Sequence, residues 1–249
     1  MKMTGNTILL TGGGSGIGEA LAHRFHDLGN TVIIAGRRLR ALEIACAGRR
    51  NMHAVPLDIG DAGDIAAFAK KIVADFPALN VLVNNAGIMR VEELDRARDL
   101  ADAEATVVTN LLGPIRLTDA LVGHLCAAPD AAIVNVTSGL AFVPLIATPT
   151  YSATKAALHS YTVSLRAVLK GRVEVIELAP PAVQTELTPG QSTRAGYLPL
   201  EAFIDEVMTL FGQQPTPPEI LVQRVGFLRN AEREGRFGAA VAALNNLAS

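Results

Sequence analysis

Of the 249 residues, 49% are hydrophobic and 18% are charged, which excludes an intrinsically disordered chain because disorder requires low hydrophobicity and a high net charge. The 22 Lys and Arg residues nearly balance the 24 Asp and Glu residues, and the net charge of −2 gives no reason to expect nucleic acid as a partner. No apolar stretch approaches the about 18 residues of a membrane-spanning helix and no signal peptide is recognisable, so we expect a cytoplasmic protein that does not bind membranes.

Short strands alternate with longer helices along the first 178 residues. The strands are apolar runs rich in β-branched residues, so each is predicted to be covered on both faces. They are predicted at 7–10, 31–35, 52–55, 81–83, 132–136 and 173–178, with helices near 16–28, 39–47, 61–75, 102–125 and 151–169. This alternation predicts an α/β fold, a doubly wound parallel sheet between two helical layers (the three-layer Rossmann fold), as a single domain of residues 1–249.

Beyond residue 186 the alternation fades. Residues 188–199 are rich in Gly, Pro, Ser and Thr, and helices are predicted near 200–211 and 217–230. We expect segment 188–212 to form a substrate-binding lid. The helices at 102–125 and 151–169 are apolar around much of their circumference, which predicts burial on two sides. One side would meet the sheet and the other a second subunit, with cover by the C-terminal segment as the alternative, so we expect a homo-oligomer.

A glycine-rich turn joins the first predicted strand to the first helix. Residues 11–18 fit T-G-x-x-x-G-x-G but neither G-x-G-x-x-G nor the P-loop pattern, because Glu19 stands where that pattern needs Lys. Glycines let a pyrophosphate approach the backbone, and the helix N-terminus attracts its charge. A glycine turn without a ligand is the alternative. The predicted dinucleotide contacts are Gly12, Ser15, Gly16, Ile17 and Gly18.

Two arginines follow the second predicted strand. Folds that bind NAD usually place an acidic residue here for the ribose 2′-hydroxyl, whereas this chain has Gly36, Arg37 and Arg38. A guanidinium is a planar, permanently charged donor that suits a 2′-phosphate. We therefore predict NADP(H) rather than NAD, with Arg37 as the leading contact and Ser15 as a further donor. A solvated basic helix start is the alternative.

Three polar residues follow the fifth predicted strand. Ser138 comes directly after it, and Tyr151 and Lys155 lie one helical turn apart, so both project from one helix face. A nearby ammonium group would lower the pKa of the tyrosine from about 10, making it an acid–base group for a carbonyl oxygen. Ser138 would hydrogen-bond that oxygen.

These motifs together resemble the short-chain dehydrogenase/reductase superfamily. The resemblance rests on Thr11–Gly18, Asn84-Asn85-Ala86-Gly87, Ser138 and the pair Tyr151 and Lys155, and it extends from about residue 4 to residue 186. It implies a compact single-domain oxidoreductase that transfers hydride between a nicotinamide cofactor, NADP(H) by the argument from the two arginines, and a carbonyl or secondary alcohol. It also implies Asn110 as a fourth catalytic residue, which distorts its helix and anchors a water near the active-site lysine. The cofactor contacts that it implies are Asp58, Ile59, Asn85, Ala86, Gly87, Tyr151, Lys155, Pro181, Val183 and Thr185.

The chain departs from the family pattern in two places. Pro180-Pro181 replaces the usual Pro-Gly pair, which is similar to the DltE-like branch, and residues 235–249 read as a short helix rather than the familiar last strand. The second departure favours a homodimer over a tetramer. The expected lining of the substrate pocket is mostly apolar and favours an apolar carbonyl compound or alcohol: Met89, Leu140, Phe142, Val143, Pro181, Ala182 and Leu187.

The sequence also allows other interpretations of the substrate and the function. Arg194 in the predicted lid would bind an anionic group of the substrate, such as a carboxylate or phosphate. Epimerase or dehydratase chemistry with a tightly bound cofactor, and a dinucleotide-sensing protein without catalysis, are the alternative functions. No metal site is expected, because His23 and His26 lack a further ligand at zinc spacing. Cys46 and Cys126 are expected to be structural thiols, and His159 is interpreted as structural.

Overall fold

The computed structural model describes residues 1–247, and within that range seven strands form one parallel sheet. The strands are β1 (Thr7–Thr11), β2 (Thr31–Gly36), β3 (Met52–Pro56), β4 (Leu79–Asn84), β5 (Ala132–Val136), β6 (Glu174–Leu178) and β7 (Glu219–Ile220). Their order is β3-β2-β1-β4-β5-β6-β7, so the direction of strand addition reverses at β1 and β4. In such doubly wound sheets the ligand crevice opens at the carboxyl ends of the strands beside this reversal. The predicted α/β fold is confirmed.

Helices cover both faces of the sheet. They are α1 (Gly16–Asp27), α2 (Leu39–Cys46), α3 (Ala62–Asp75), α4 (Ala101–Val107), α5 (Gly113–Ala127), α6 (Pro149–Val168), α7 (Leu200–Phe211), α8 (Gly226–Arg229) and α9 (Phe237–Asn245). A π-helical turn, Val108–Leu112, joins α4 to α5, so the predicted helix at 102–125 is one long helix with an interruption. Across residues 1–247, no helix combines the length and apolar character needed to cross a bilayer.

The prediction of a helix over 217–230 is wrong. Glu219 and Ile220 form the two-residue strand β7, which pairs with the end of β6, a 3₁₀ turn follows, and only Gly226–Arg229, the short α8, is α-helical as predicted. Glu177 N–H donates to Pro218 O, and Ala179 N–H donates to Ile220 O. These backbone bonds to the edge of the sheet override the helical pattern of a segment that begins with Pro217 and Pro218.

Two apolar clusters pack against the two faces of the sheet. On one face the α1 residue Phe25 meets Phe211 of α7 with ring centroids 5.9 Å apart. On the other face Phe68 of α3 and Leu117 of α5 pack on the strands. Because the strands are buried on both faces, they need the non-alternating apolar sequence that predicted them.

The segment predicted as a lid has two parts of different character. Residues 200–211 are α7, whose Phe203, Ile204 and Val207 are fully buried in the core. Residues 188–199 are a loop, which the buried Gln191 anchors by donating to Val183 O at 2.9 Å. The lid stays a prediction, and it now concerns the loop alone.

The C-terminal residues form a short helix, in line with their sequence. Ala240 of α9 and Ala231 pack against Val143. Asn245 donates to Pro144 O and accepts from Ile146 N–H, which fixes α9 on the segment before α6. Residues 248–249, the end of the predicted helical segment 235–249, lie outside the described residues.

Candidate active site

Close backbone contacts explain the glycines in the turn between β1 and α1. Gly12 and Gly16 have φ angles of 72° and 57°, which other residues rarely adopt. A Cβ atom on Gly18 would lie 2.3 Å from Gly12 O and 2.5 Å from Asn85 Nδ2. A Cβ on Gly12 would lie 2.9 Å from the Cα of Ala86. The turn therefore folds tightly against the segment that follows β4.

Thr11 connects this turn to the end of β4. Its hydroxyl accepts from the N–H groups of Asn85 and Ala86 at 3.0 and 3.1 Å. The Asn85 side chain donates back to Thr11 O at 2.9 Å. Asn85 and Ala86, which the resemblance implied as cofactor contacts, thus lie beside the glycine turn, and Gly87, the third such residue, follows them in the chain.

The N-terminus of α1 has the chemistry of an anion site. Its N-cap residue, Ser15, is exposed and makes no capping hydrogen bond with its side chain. The first amides of a helix have no acceptor within the helix, so the N–H groups of Gly16, Ile17 and Gly18 are available to a phosphate. The observed geometry fits the diphosphate of a dinucleotide.

Arg37 and Arg38 lie at the carboxyl end of β2, beside the glycine turn. Both side chains are exposed, and Arg38 Nη2 donates to Ser15 Oγ at 3.4 Å. The structure therefore brings together Ser15 and one of the two arginines predicted to meet a 2′-phosphate. Asp58 lies after β3 and is exposed, with its carboxylate accepting from Gly60 N–H. The neighbouring Ile59 side chain is buried in the core.

Asn110 lies in the π-helical turn between α4 and α5. Its side chain accepts from Ile88 N–H and donates to Ile88 O, both at 2.9 Å. A Cβ built on Gly87 would lie 3.3 Å from Asn110 Oδ1 and 3.7 Å from Lys155 Nζ. Asn110, Gly87 and Lys155 therefore form one cluster, and the helix is distorted where the resemblance implied it.

The side chains of Tyr151 and Lys155 extend from α6 to the carboxyl end of β5, beside Ser138. Lys155 Nζ donates to Val136 O at 2.8 Å and lies 5.6 Å from the centre of the Tyr151 ring. Both residues are buried, at 7% and 3% exposure. Ser138 Oγ accepts from Leu140 N–H at 3.1 Å, which fixes the serine in the turn after β5.

Burial, rather than the lysine charge, dominates the acid–base properties of this pair. It raises the pKa of Tyr151 to about 12, against the opposing effect of a hydrogen bond with Ser138. It lowers the pKa of Lys155 to about 8. The expectation that the tyrosine pKa falls below its ordinary value of about 10 is therefore wrong for this structure, because desolvation disfavours the phenolate more than the Ser138 hydrogen bond favours it.

Three predicted contacts come from the segment after β6. Thr185 is buried beside the glycine turn, since a Cβ on Gly16 would lie 3.4 Å from the Thr185 Cβ. Pro181 is half-buried, and the preceding Pro180 accepts from Gly139 N–H at 2.8 Å. Val183 is 2% exposed and belongs to the core, with its backbone paired to Leu198.

The expected pocket lining needs one correction. Val143 is fully buried against Ala231 and Ala240, so it does not line a pocket. Met89, Leu140 and Leu187 are half-buried in the segments that follow β4, β5 and β6, and Ala182 is exposed. Arg194 stacks on Tyr197 with 5.3 Å to the ring centre and is exposed.

Sequence reasoning missed Glu92, which lies in the irregular segment after β4. Its side chain is 3% exposed and accepts from Arg98 Nη1 at 2.7 Å. It also accepts from the Thr150 N–H and hydroxyl at 3.1 and 2.8 Å. Thr150 is the second residue of α6 and precedes Tyr151, so Glu92 places a carboxylate at the N-terminus of the catalytic helix.

Comparison with known proteins agrees with this geometry. Residues 6–195 match the short chain dehydrogenase family. The chain belongs to that family. It is 41% identical over 237 residues, 94% of both chains, to "Uncharacterized oxidoreductase DltE" of Bacillus subtilis (strain 168).

Solved structures of short-chain dehydrogenases share the fold. A short chain dehydrogenase from Burkholderia cenocepacia J2315, in complex with NADP, is 26% identical with a TM-score of 0.83, covering 98% of this chain and 99% of that one. The 3-ketoacyl-(acyl-carrier-protein) reductase from Brucella melitensis, complexed with NADH, is 26% identical with a TM-score of 0.78, covering 88% and 96%. The resemblance read from the glycine turn and the Tyr151–Lys155 pair is confirmed, and the chain is an oxidoreductase of the short-chain dehydrogenase family.

Proposed function

We propose that this short-chain dehydrogenase is an NADP(H)-dependent oxidoreductase acting on a carbonyl group or secondary alcohol, with Tyr151 as its acid–base residue. The observation that carries the proposal is the convergence of Ser138, Tyr151, Lys155 and Asn110 at the carboxyl ends of β4 and β5. The glycine turn lies against the same end of the sheet. A bound nicotinamide cofactor supplies or accepts the hydride.

The protein residues handle the proton and hold the substrate oxygen. Because burial raises the pKa of Tyr151 to about 12, the phenol stays protonated near neutrality and can donate its proton to a carbonyl oxygen during reduction. The Ser138 hydroxyl would donate to the same oxygen and stabilise its developing charge. Lys155 is the buried cation beside the tyrosine, and its charge would favour the phenolate as the proton leaves.

The preference for NADP(H) rests on Arg37 and Arg38. Both guanidinium groups are exposed at the end of β2, where Ser15 adds a hydroxyl. A carboxylate here would repel a 2′-phosphate, and the chain has none at 36–38. The Burkholderia protein in complex with NADP supports this preference. The Brucella protein in complex with NADH shows that the same fold also binds the cofactor without a 2′-phosphate.

The proposed substrate is an uncharged, mostly apolar carbonyl compound. Its support is the apolar character of Met89, Leu140 and Leu187, which follow the carboxyl ends of β4, β5 and β6, and the engagement of Arg194 with Tyr197. A buried apolar surface binds such a compound, and the tyrosine and serine hydroxyls select for its oxygen.

A cofactor and substrate screen tests the proposal. Purified protein would be incubated with NADPH or NADH and acetophenone, cyclohexanone or octanal, and with NADP or NAD and the matching alcohols, while nicotinamide absorbance is followed. We expect turnover with NADPH on at least one carbonyl compound, and slower turnover with NADH. Turnover only with NADH would refute the cofactor assignment, and NADPH binding without any turnover would favour a sensing protein.

A further inference from the structure

A buried carboxylate that the proposed chemistry does not use lies one strand from the catalytic serine. Glu177 of β6 is 0% exposed. Thr137 Oγ1 donates to its Oε1 at 2.6 Å, and His159 Nδ1 lies 2.7 Å from its Oε2. Buried carboxylates persist in proteins when hydrogen bonds or ion pairs compensate them, so both contacts are needed to keep Glu177 in the core.

Both partners of Glu177 are neighbours of catalytic residues. Thr137 directly precedes Ser138, and its backbone N–H donates to Leu178 O at 2.8 Å. His159 lies one turn beyond Lys155 on α6. Glu177 therefore joins the end of β5 to the helix that carries Tyr151, through one carboxylate.

The contacts continue on the other side of Ser138. The Phe142 ring meets the His159 ring edge-on with centroids 5.0 Å apart, and the Arg229 guanidinium lies 4.7 Å from the Phe142 ring centre. Arg229 in turn makes two hydrogen bonds to Glu219, at 2.8 and 2.9 Å. The turn that holds Ser138 is thus fixed at Thr137 on one side and at Phe142 on the other.

His159, Glu177 and Glu219 also have the spacing of metal ligands, with donor atoms within 4.8 Å of one another. Arg229 already pairs with both Glu219 oxygens, and Thr137 occupies one Glu177 oxygen. A metal ion would have to displace these donors and approach a guanidinium cation. The observed hydrogen bonds therefore favour a positioning network over a metal site.

We propose that Glu177 is a positioning residue for catalysis. Through Thr137 and His159 it holds the Ser138 turn against α6 and sets the distance between the Ser138 and Tyr151 hydroxyls. This inference rests on the proposed function, because it assigns the network to the same proton-transfer step. A displacement of about 1 Å in such a group costs up to about a hundredfold in rate.

Thr137→Val tests the inference, because it removes the hydroxyl and keeps the shape of the side chain. Thr162→Val is the matched control: Thr162 is also buried and accepts from Asn135 Nδ2 at 2.9 Å, three residues before Ser138 rather than next to it. We expect Thr137→Val to lower kcat about tenfold or more, with KM for NADPH unchanged, on the best carbonyl compound of the screen. Thr137→Ser should restore kcat to within about twofold, and Thr162→Val should lower the melting temperature without this loss of kcat.

A second experiment uses the variant Glu177→Gln and the addition of zinc. The glutamine keeps an acceptor for Thr137, so we expect it to retain more activity than Glu177→Ala. Equal kcat for Thr137→Val and Thr162→Val would overturn the inference, as would a zinc-dependent rise in melting temperature that Glu177→Gln abolishes. If wild-type protein reduces none of the carbonyl compounds, the proposed function has failed instead.

Discussion

Gly18→Ala is the most direct perturbation of the glycine turn. The added Cβ would lie 2.3 Å from Gly12 O and 2.5 Å from Asn85 Nδ2, and the first of these is backbone that cannot rotate away. Forcing one methyl group into such a tightly packed place costs about 1–3 kcal/mol. At about 2–4 °C per kcal/mol for a chain of this length, the melting temperature should fall by about 2–12 °C.

The same displacement should weaken cofactor binding, since Gly18 lies in the first turn of α1, where the free amides point at the crevice. We expect about tenfold weaker NADPH binding, measured by fluorescence titration alongside thermal unfolding. Gly123→Ala is the control, because a Cβ there meets nothing within 4 Å on α5. It should stabilise the protein by about 0.5–1 kcal/mol and leave NADPH binding unchanged. A Gly18→Ala variant with wild-type melting temperature and NADPH affinity would refute the packing argument.

Three further predictions follow from other parts of the molecule. Arg37→Ala should weaken NADPH binding about tenfold or more and leave NADH binding nearly unchanged, because a charge-assisted hydrogen bond, here to the 2′-phosphate, contributes about 1.5–3 kcal/mol. An equal loss of affinity for both cofactors would refute the assignment of Arg37 to the 2′-phosphate. Burial alone would raise the pKa of Glu92, but its hydrogen bonds with Thr150 and Arg98 hold the pKa below the ordinary value of 4.5. The ionised form therefore stabilises the fold above that value, and this contribution is lost as the pH falls through the depressed pKa. The free energy of unfolding, measured with denaturant from pH 7 to 3, should depend less on pH in Glu92→Gln than in wild type. Identical pH dependence in the two proteins would contradict this role of Glu92. Val163 and Val168 of α6 are 47% and 69% exposed, so Val163→Glu should convert the proposed dimer to a monomer in size-exclusion chromatography; unchanged elution would count against this face.

Local sequence patterns predicted the fold well because the strands are buried on both faces. The β7 strand was missed, since two residues carry no periodicity and the pairing with β6 is decided by tertiary contacts. The π-helical turn at Asn110 was expected only from the family resemblance, because the apolar pattern of 102–125 runs through it without a break.

Long-range contacts of single polar groups could not be read from the sequence. Glu92 and Thr150 are 58 residues apart, and Thr137 and Glu177 are 40 apart. Their contacts depend on strand register and on the path of an irregular segment. His159 was interpreted as structural, and its contact with Glu177 could not be read from the sequence because His159 lies on α6 and Glu177 on β6. The tyrosine pKa was predicted in the wrong direction, because sequence spacing shows that Lys155 is near but not that the Tyr151 side chain is buried.

The central claim is that Tyr151 passes the proton to the substrate oxygen. The decisive measurement compares Tyr151→Phe with wild type, following NADPH binding by fluorescence and carbonyl reduction by nicotinamide absorbance. We predict NADPH affinity within about twofold of wild type, together with a loss of turnover of about a hundredfold or more, since a general acid contributes about 10²–10⁴ in rate. Turnover retained at the wild-type rate would contradict the assignment of Tyr151 as the acid.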